Sequence, residues 1–241
     1  ESAGSISDIK TDPYDAKGGD VAIWLAPGSF VMEENSRMEN IQTIGLVDNN
    51  GGTIDIGGTI TNCNSKNVLF RLRGGGDVKF TLQESGLITN CSTTDVGIVY
   101  RNGGRTFITI AGEISDITVN DAVLFISPND YVSGGECTIT ETGKITRVHG
   151  EGIRTQYSTL TVLGEISDCS SYAVRYVPDT SNNRVRTNSV VIAEGSIISD
   201  NNQGNAQIYV NGGSADTTNY HVSLSSENEE LNPKSIQLSD L

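Results

Sequence analysis

Positive charge is scarce in this chain. Its 241 residues include 16 lysines and arginines against 30 aspartates and glutamates, which gives a formal net charge of −14. The basic patch with which proteins hold phosphate backbones is missing, and an anionic membrane surface should repel the chain. No apolar run approaches the length of a membrane span. We therefore expect no nucleic-acid partner and no insertion into a membrane.

Residues that signal particular chemistries are also few. The chain has two histidines and four cysteines, and no pair of cysteines is arranged as Cys-x-x-Cys. A zinc centre built from these ligands is therefore not expected. Proline occurs five times and aromatic residues make up only 6%, whereas glycine occurs 27 times. This composition fits a globular or repetitive β-protein.

One short phrase recurs along the chain: Gly-x-Ile-Ser/Thr-Asn/Asp, followed by Cys, Ile or Val. Residues 58–63 read GTITNC, residues 86–91 read GLITNC and residues 164–169 read GEISDC. Successive copies are 21 to 32 residues apart, a spacing typical of solenoid repeats. The copies begin at Gly4, Ser36, Gly58, Gly86, Gly112, Gly143, Gly164 and Gly195.

Two further strand-like segments accompany the phrase. An alternating segment such as residues 107–110 precedes it, and an apolar segment such as residues 123–126 follows it. Period-two alternation and β-branched residues favour short strands separated by Gly, Asn, Asp and Ser turns. Three strands in a repeat of about 27 residues predict an all-β parallel β-helix of about eight coils. Residues 32–42 look helical but align with the repeat, so we interpret them as strand.

The phrase also predicts how each coil turns its corner. Its isoleucine points into the core, its Asn or Asp adopts the left-handed conformation of a sharp bend, and the next residue returns to the core. The inward isoleucines are Ile60, Ile88, Ile114, Ile145 and Ile166. The corner residues are Asn40, Asn62, Asn90, Asp116 and Asp168. The returning residues are Cys63, Cys91, Ile117, Val148 and Cys169.

These coils resemble a known class of protein. Right-handed parallel β-helices with F-T-M-x-G-G-x-I-x-N coils occur in large surface and secreted proteins of bacteria, including adhesin-like and polymorphic outer-membrane-type repeats. The resemblance covers residues 4 to about 213 and implies a right-handed solenoid in an extracellular or cell-surface protein. The same pectate-lyase-like fold carries polysaccharide lyases, glycosidases, phage tailspikes and non-catalytic adhesins, so it does not select a function.

The organisation expected from the repeat is one solenoid domain. Residues 1–213 form the β-helix. Residues 214–241 are more polar and hold a last strand near 221–224 followed by a cap or a linker to a further region. A solenoid end exposes unpaired strand edges, which must be covered or continued. We therefore expect a monomer or a part of a longer chain.

The cysteines invite two interpretations. Cys63 and Cys91 occupy equivalent positions in adjacent coils, so stacking would bring their thiols to a distance that a disulfide could bridge. We favour four buried free thiols, each acting as a small core residue. A single Cys63–Cys91 bridge is the alternative.

Signs of catalysis are weak. Residues 147–154, RVHGEGIR, resemble the Gly-His-Gly and Arg-Ile-Lys elements of polygalacturonase-like glycosidases, but the Asn-Thr-Asp and Asp-Asp pairs of those enzymes are absent. Glycoside hydrolysis needs two carboxylates across the bond, which Glu151 and Asp130 would supply only if their loops meet. We therefore name no catalytic residue and interpret His149 as a corner residue.

A metal or cofactor is not expected either. Residues 48–58, DNNGGTIDIGG, resemble a calcium-binding nonapeptide, but the spacing fails and the unit does not repeat. No metal ligand is named on this basis. Calcium held elsewhere by the plentiful acidic oxygens is left open.

The strongest functional signal lies on one outer face. In the strand that follows the corner, aromatic residues and arginines fill the outward positions. Sugar-binding surfaces favour both, because aromatic faces stack on sugars and arginine holds carboxylates with two hydrogen bonds. The alternative is that these side chains pack beneath loops or shield the strands. The outward positions read Trp24, Arg71, Val99, Phe125, Arg154, Arg175 and Tyr209.

Loop lengths place a groove on this face. Long loops at residues 127–136 and 177–188 flank a short coil, and long loops in compact repeat folds often carry function. Arg184 and Arg186 add to a local basic cluster, which suggests an anionic or carboxylated ligand. A protein carboxylate could pair with Arg154 and Arg175 instead, and the candidates are Asp130, Glu151 and Asp179. The predicted ligand-binding residues are Phe125, Tyr131, Arg154, Tyr157, Arg175 and Tyr209.

The pattern as a whole favours a secreted or cell-surface binding module of the adhesin-like kind. Its partner would be a carbohydrate or another host or cell-surface ligand. The first alternative is a polysaccharide lyase or glycoside hydrolase that works in the groove. The second alternative is a structural spacer within a larger surface protein.

Overall fold

A computed structural model describes residues 4–10, 21–100, 105–126, 135–156, 158–176, 188–193, 195–204, 208–211, 220–224 and 236–239. Strands dominate it, and the only helical element among these residues is the 3₁₀ turn Asn201–Gly204. The strands are β1 Ser5–Ser7, β2 Val21–Leu25, β3 Gly28–Met32, β4 Arg37–Glu39, β5 Gln42–Ile56, β6 Thr59–Thr61, β7 Asn64–Leu82, β8 Leu87–Thr93, β9 Val96–Tyr100, β10 Thr106–Ile110, β11 Glu113–Ile126, β12 Gly135–Ile139, β13 Lys144–Thr155, β14 Ser158–Val162, β15 Glu165–Cys169, β16 Val174–Tyr176, β17 Asn188–Ile192, β18 Ile197–Ser199, β19 Ile208–Asn211, β20 Tyr220–Leu224 and β21 Ile236–Ser239.

The strands pair in parallel along three ladders, which are the three faces of a β-solenoid. The first ladder runs through β1, β4, β6, β8, β11, β13, β15 and β18. The second runs through β2, β5, β7, β9, β11, β13, β16, β19 and β21. The third runs through β3, β5, β7, β10, β12, β14, β17 and β20. The predicted all-β parallel solenoid is therefore confirmed.

Long strands appear in more than one ladder because they continue around a corner from one face to the next. Residues 36–163 form about five consecutive coils with short gaps in the described chain, against about eight predicted for the whole sequence. Strands on either side add to the same ladders, and β20 covers the strand predicted at 221–224. The segment 32–42 contains β4 and no helix, as predicted. The right-handed sense stays a prediction.

The core is a set of stacked columns. Ile60, Ile88 and Ile114 lie opposite one another on successive first-ladder strands, and each is at most 1% exposed. Ile145 and Ile166 extend the same column. The predicted stacking of the repeat isoleucines is thus confirmed, and burial of these columns is the main force that holds the coils together.

The corners follow the predicted chemistry. A positive φ, between 51° and 57°, occurs at each of the five predicted corner residues. The other residues at the equivalent position are Asp8, Arg147 and Asp200. Arg147 is the exception, since arginine does not favour the left-handed region at φ 52°. Its guanidinium donates two hydrogen bonds, at 2.9 and 3.0 Å, to the carboxylate of Asp116, which is the corner residue of the preceding coil. These hydrogen bonds hold the pKa of Asp116 below its ordinary value.

The corner conformation gives a first testable prediction. Asn90 is exposed and has φ 51°, so its replacement by alanine removes no buried contact but puts a disfavoured residue in the left-handed region. We expect Asn90→Ala to lower the free energy of unfolding by about 1 kcal/mol. Asn90→Gly, which fits the conformation without steric strain, should stay closer to wild type. Urea unfolding of the three proteins checks this, and an equal loss in both variants would contradict it.

All four cysteines are buried and free, as favoured from the sequence. The backbone N–H of Ser92 donates to the carbonyl of Cys63 at 3.0 Å, so Cys63 and Cys91 are neighbours across one coil step. A hydrogen bond to Cys63, together with burial, raises the pKa of the Cys91 thiol. Burial raises the pKa of Cys137 and of Cys169 to about 12 in each case. These three thiols are therefore protonated at neutral pH and serve as packing residues.

Candidate ligand-binding face

The second ladder carries the outward side chains singled out in the sequence. We call the positions Trp24, Asp48, Arg71, Val99, Phe125, Arg154, Arg175 and Tyr209 the outer column, since each lies opposite the next on adjoining strands. The inward residues between them, such as Phe70 and Leu124, are fully buried. One position differs from the predicted series, because Asp48 stands between Trp24 and Arg71.

Glu151 joins the two arginines at the centre of the column. Its Oε2 accepts a hydrogen bond from Nε of Arg154 at 3.0 Å, and its Oε1 accepts one from Nη1 of Arg175 at 2.9 Å. Only 6% of Glu151 is exposed. Although partial burial disfavours the charged guanidinium, the bond to Glu151 raises the pKa of Arg175. The two arginines do share an anionic partner, as predicted, and that partner is one of the three protein carboxylates considered.

Asp121 completes this network from the preceding coil. Nη1 of Arg154 donates to its Oδ2 at 2.6 Å, and Nη2 of Arg154 pairs with its Oδ1. Burial raises the pKa of Asp121, and the positive charge of Arg154 opposes that rise. Two arginines thus face two carboxylates, so the described part of the expected basic cluster is neutral. The protein thus supplies the counter-charges of Arg154 and Arg175, which is the alternative considered from the sequence, and these ion pairs need no anionic ligand to explain them.

Aromatic rings lie beside both arginines. The guanidinium carbon of Arg154 is 5.8 Å from the ring centre of Phe125, and that of Arg175 is 5.5 Å from the ring centre of Tyr209. Tyr172 stacks on Tyr209 with ring centres 5.0 Å apart and an interplanar angle of 29°. These distances are in the range of favourable cation–π and stacked contacts. We call Phe125, Arg154, Tyr172, Arg175 and Tyr209 the aromatic platform.

A second ion-paired cluster lies further along the same face. Asp48 is 4% exposed and accepts two hydrogen bonds from Arg73, at 2.7 and 2.8 Å, and one from Arg71 at 3.4 Å. Both oxygens of Asp48 are therefore engaged by arginine, which argues against the calcium reading of residues 48–58. Asp48 and Arg73 were missed in the sequence. Aligning LVDNN, residues 46–50, with LFRLR, residues 69–73, would have placed Asp48 opposite Arg71.

A shallow depression of about 340 Å³ lies near a corner of the first ladder. His149 is exposed at its edge, beside the corner residues Arg147, Asp168 and Asp200. The corner residue of this coil is Arg147, with His149 two residues after it, and a structural role for His149 stays a prediction. Within the described ranges, no group of three or more His, Cys, Asp or Glu side chains is arranged to hold a metal ion.

Part of the predicted groove lies outside the described residues. Tyr131 and Tyr157 fall there, together with most of the loops at 127–136 and 177–188. The other groove candidates outside the described residues are Asp130, Asp179, Arg184 and Arg186. The structure therefore brings together four of the six predicted ligand-binding residues: Phe125, Arg154, Arg175 and Tyr209.

Comparisons with models of protein families, with curated proteins and with solved structures return no match for this chain. Its class is therefore defined by its fold, which is a parallel β-solenoid with a charged and aromatic outer column. The adhesin-like and pectate-lyase-like types stay expectations from the resemblance of the coils. In the part of the chain that the structure describes, no helix has the length and apolar character needed to cross a membrane.

Proposed function

We propose that this chain is a binding module of a secreted or cell-surface protein, adhesin-like in type, that recognises carbohydrate through the aromatic platform. The observation that carries the proposal is the stacked pair Tyr172 and Tyr209 beside Arg175 on an outer solenoid face. Aromatic faces of this kind bind the apolar side of a sugar ring.

The ion pairs beneath the rings support a binding role. Glu151 fixes Arg154 and Arg175, and these arginines lie against Phe125 and Tyr209. Phe125 also packs against Val68 and Val96. Side chains that are ordered before binding lose less conformational entropy when a ligand arrives. Since the platform is neutral, its ligand would be an uncharged stretch of glycan.

A structural spacer is the second candidate, and one observation favours it. The charges of Arg154 and Arg175 are satisfied by Glu151 and Asp121 within the protein, so the pairs need no ligand to explain them. In a spacer these bonds would serve only to tie three successive coils together. The two candidates differ in whether the rings of the platform contact anything outside the chain.

Replacing Tyr209 by alanine separates the two functions. On an array of neutral and acidic glycans, we expect the wild-type protein to bind neutral oligosaccharides. Tyr209→Ala should weaken that binding about tenfold, which is the loss expected when one stacked aromatic contact of about 1.4 kcal/mol is removed. Circular dichroism and thermal unfolding would show whether the variant keeps its fold.

Phe107→Ala is the matched control. Phe107 lies on the third face and has Arg105 at 5.8 Å, so it reproduces the arginine–aromatic contact away from the platform. This variant should bind glycans as the wild type does. A wild-type protein that binds no neutral glycan on the array, or equal losses in the two variants, would reject the platform and leave the spacer as the better account.

A further inference from the structure

Arg71 is paired less completely than the arginine beside it. Arg73 uses Nε and Nη2 to grip both oxygens of Asp48, whereas Arg71 reaches the same carboxylate with Nη1 alone, at 3.4 Å. Among the described residues, this is the one hydrogen bond that the Arg71 guanidinium makes. About a third of the Arg71 side chain is exposed, at 32%. A guanidinium has five N–H donors, so this partly exposed side chain has donors left with which to hold a second anion.

The charge balance of this cluster differs from that of its neighbours. Two arginines face one carboxylate, Asp48, so the cluster has an excess positive charge. The network around Glu151 is neutral, and Arg147 faces both Glu113 and Asp116. Among the ion-paired clusters in the described ranges, arginines outnumber carboxylates at Asp48 and in no other cluster. On a protein of net charge −14, it is a local exception that favours an anion.

Trp24 stands next to this cluster on the outer column. It lies opposite Asp48, which in turn lies opposite Arg71. Its exposure is 61%, the highest of the large apolar side chains in the described chain. Two strand spacings place Trp24 and Arg71 about 10 Å apart along the face, which one acidic sugar or a short oligosaccharide spans. An exposed tryptophan beside an arginine with open donors thus offers a stacking surface and an anion-binding group together.

We infer that Trp24, Arg71 and Arg73 form a binding site for an acidic saccharide, with a sugar ring on the indole and its carboxylate or sulfate on Arg71. Asp48 holds Arg73 in place and orients the guanidinium pair. The site is distinct from the aromatic platform, because Val99 lies between Arg71 and Phe125, the platform residue nearest to it on the column. Its existence does not depend on whether the platform binds neutral glycan.

The single tryptophan of the chain makes this site directly observable. Titration with oligogalacturonate, with a sulfated galactan oligomer and with a neutral galactan oligomer would be followed by intrinsic fluorescence. We expect a saturable change with one or both acidic oligomers, weakened by added salt, and no change with the neutral oligomer. The acidic oligomer that binds more tightly identifies the anionic group.

Arg71→Ala should raise the dissociation constant of the acidic oligomer at least tenfold. Arg71→Lys keeps the charge but loses the planar guanidinium, so its dissociation constant should lie between those of the wild type and Arg71→Ala. The bidentate bond between Arg73 and Asp48 is retained in both variants, so the fold should be preserved. Arg37→Ala is the control, since Arg37 lies on the first ladder and pairs with Glu39 at 3.1 Å. Calorimetry on Trp24→Ala, which lacks the fluorophore, should show weaker binding as well.

Three results would overturn the inference. The fluorescence could fail to respond to either acidic oligomer, it could respond equally to the neutral one, or Arg71→Ala could bind as tightly as Arg37→Ala. None of these results bears on the platform, because the platform test compares Tyr209→Ala with Phe107→Ala on the neutral glycans of the array. Failure of the platform test likewise leaves the fluorescence titration at Trp24 unaffected.

Discussion

Replacing Ile114 by alanine is expected to lower the free energy of unfolding by about 2–5 kcal/mol, the usual cost of truncating a large buried side chain. Ile114 is 1% exposed and lies between Ile88 and Ile145 in the first-ladder column. Its removal would open a cavity that the neighbouring coils cannot close without moving their strands out of register. Chemical unfolding followed by circular dichroism measures the loss.

A solenoid allows the effect to be located as well as measured. Each coil contacts only its neighbours, so the weakened interfaces should be those of the coils that hold Ile88 and Ile145. Hydrogen exchange should therefore rise most in β8, β11 and β13. The control is Thr109→Ala, because Thr109 is half-buried on the outward side of β10 and should cost far less. Equal losses in the two variants would show that Ile114 is not in the column.

The core and the corners could be predicted because both are repeated. Every copy of the phrase puts an apolar residue inward and a bend two residues later, so one copy predicts the others. Arg147 has the corner conformation although it is neither Asn nor Asp. Its φ of 52° matches that of Asn62 at 53°. What the repeat specifies is the backbone, and the side chain adapts to it.

The ion pairs were harder to predict because they join residues whose side chains follow no repeat. Asp121 and Asp48 each bind an arginine of the next coil. To predict such a pair, the alignment of the two coils must be known without an error of even one residue. In β5 that register shifts twice, between Thr43 and Gly45 and between Asn50 and Gly52. Asp48 lies between these two irregularities, so it aligns with Arg71 only when the short segment 46–50 is matched to residues 69–73 by itself. Glu151 was named among three candidate carboxylates, and the structure places it three residues before Arg154 in the same strand.

Replacing Glu151 by alanine is expected to cost about 2–4 kcal/mol of stability, which is near the lower part of the range for breaking a buried ion pair because the arginines stay partly exposed. Arg154 keeps Asp121 in this variant, but Arg175 loses the carboxylate that it contacts. The Nε of Arg175 is already buried without a partner among the described residues, so further loss leaves a poorly solvated charge. Glu151→Gln keeps the hydrogen-bonding oxygen and should lose less.

The matched control is Glu39→Ala, which removes the carboxylate of an exposed pair. The side chains of Arg37 and Glu39 are 54% and 31% exposed, so this loss should be below about 1 kcal/mol. A double-mutant cycle between Glu151→Ala and Arg175→Ala should give a coupling energy of about 1–2 kcal/mol, since the two residues act through one bond. If Glu151→Ala costs no more than Glu39→Ala, Glu151 does not hold the arginines. Arg154 and Arg175 would then have a net positive charge that a ligand could neutralise. An acidic glycan would become the better partner for the platform as well.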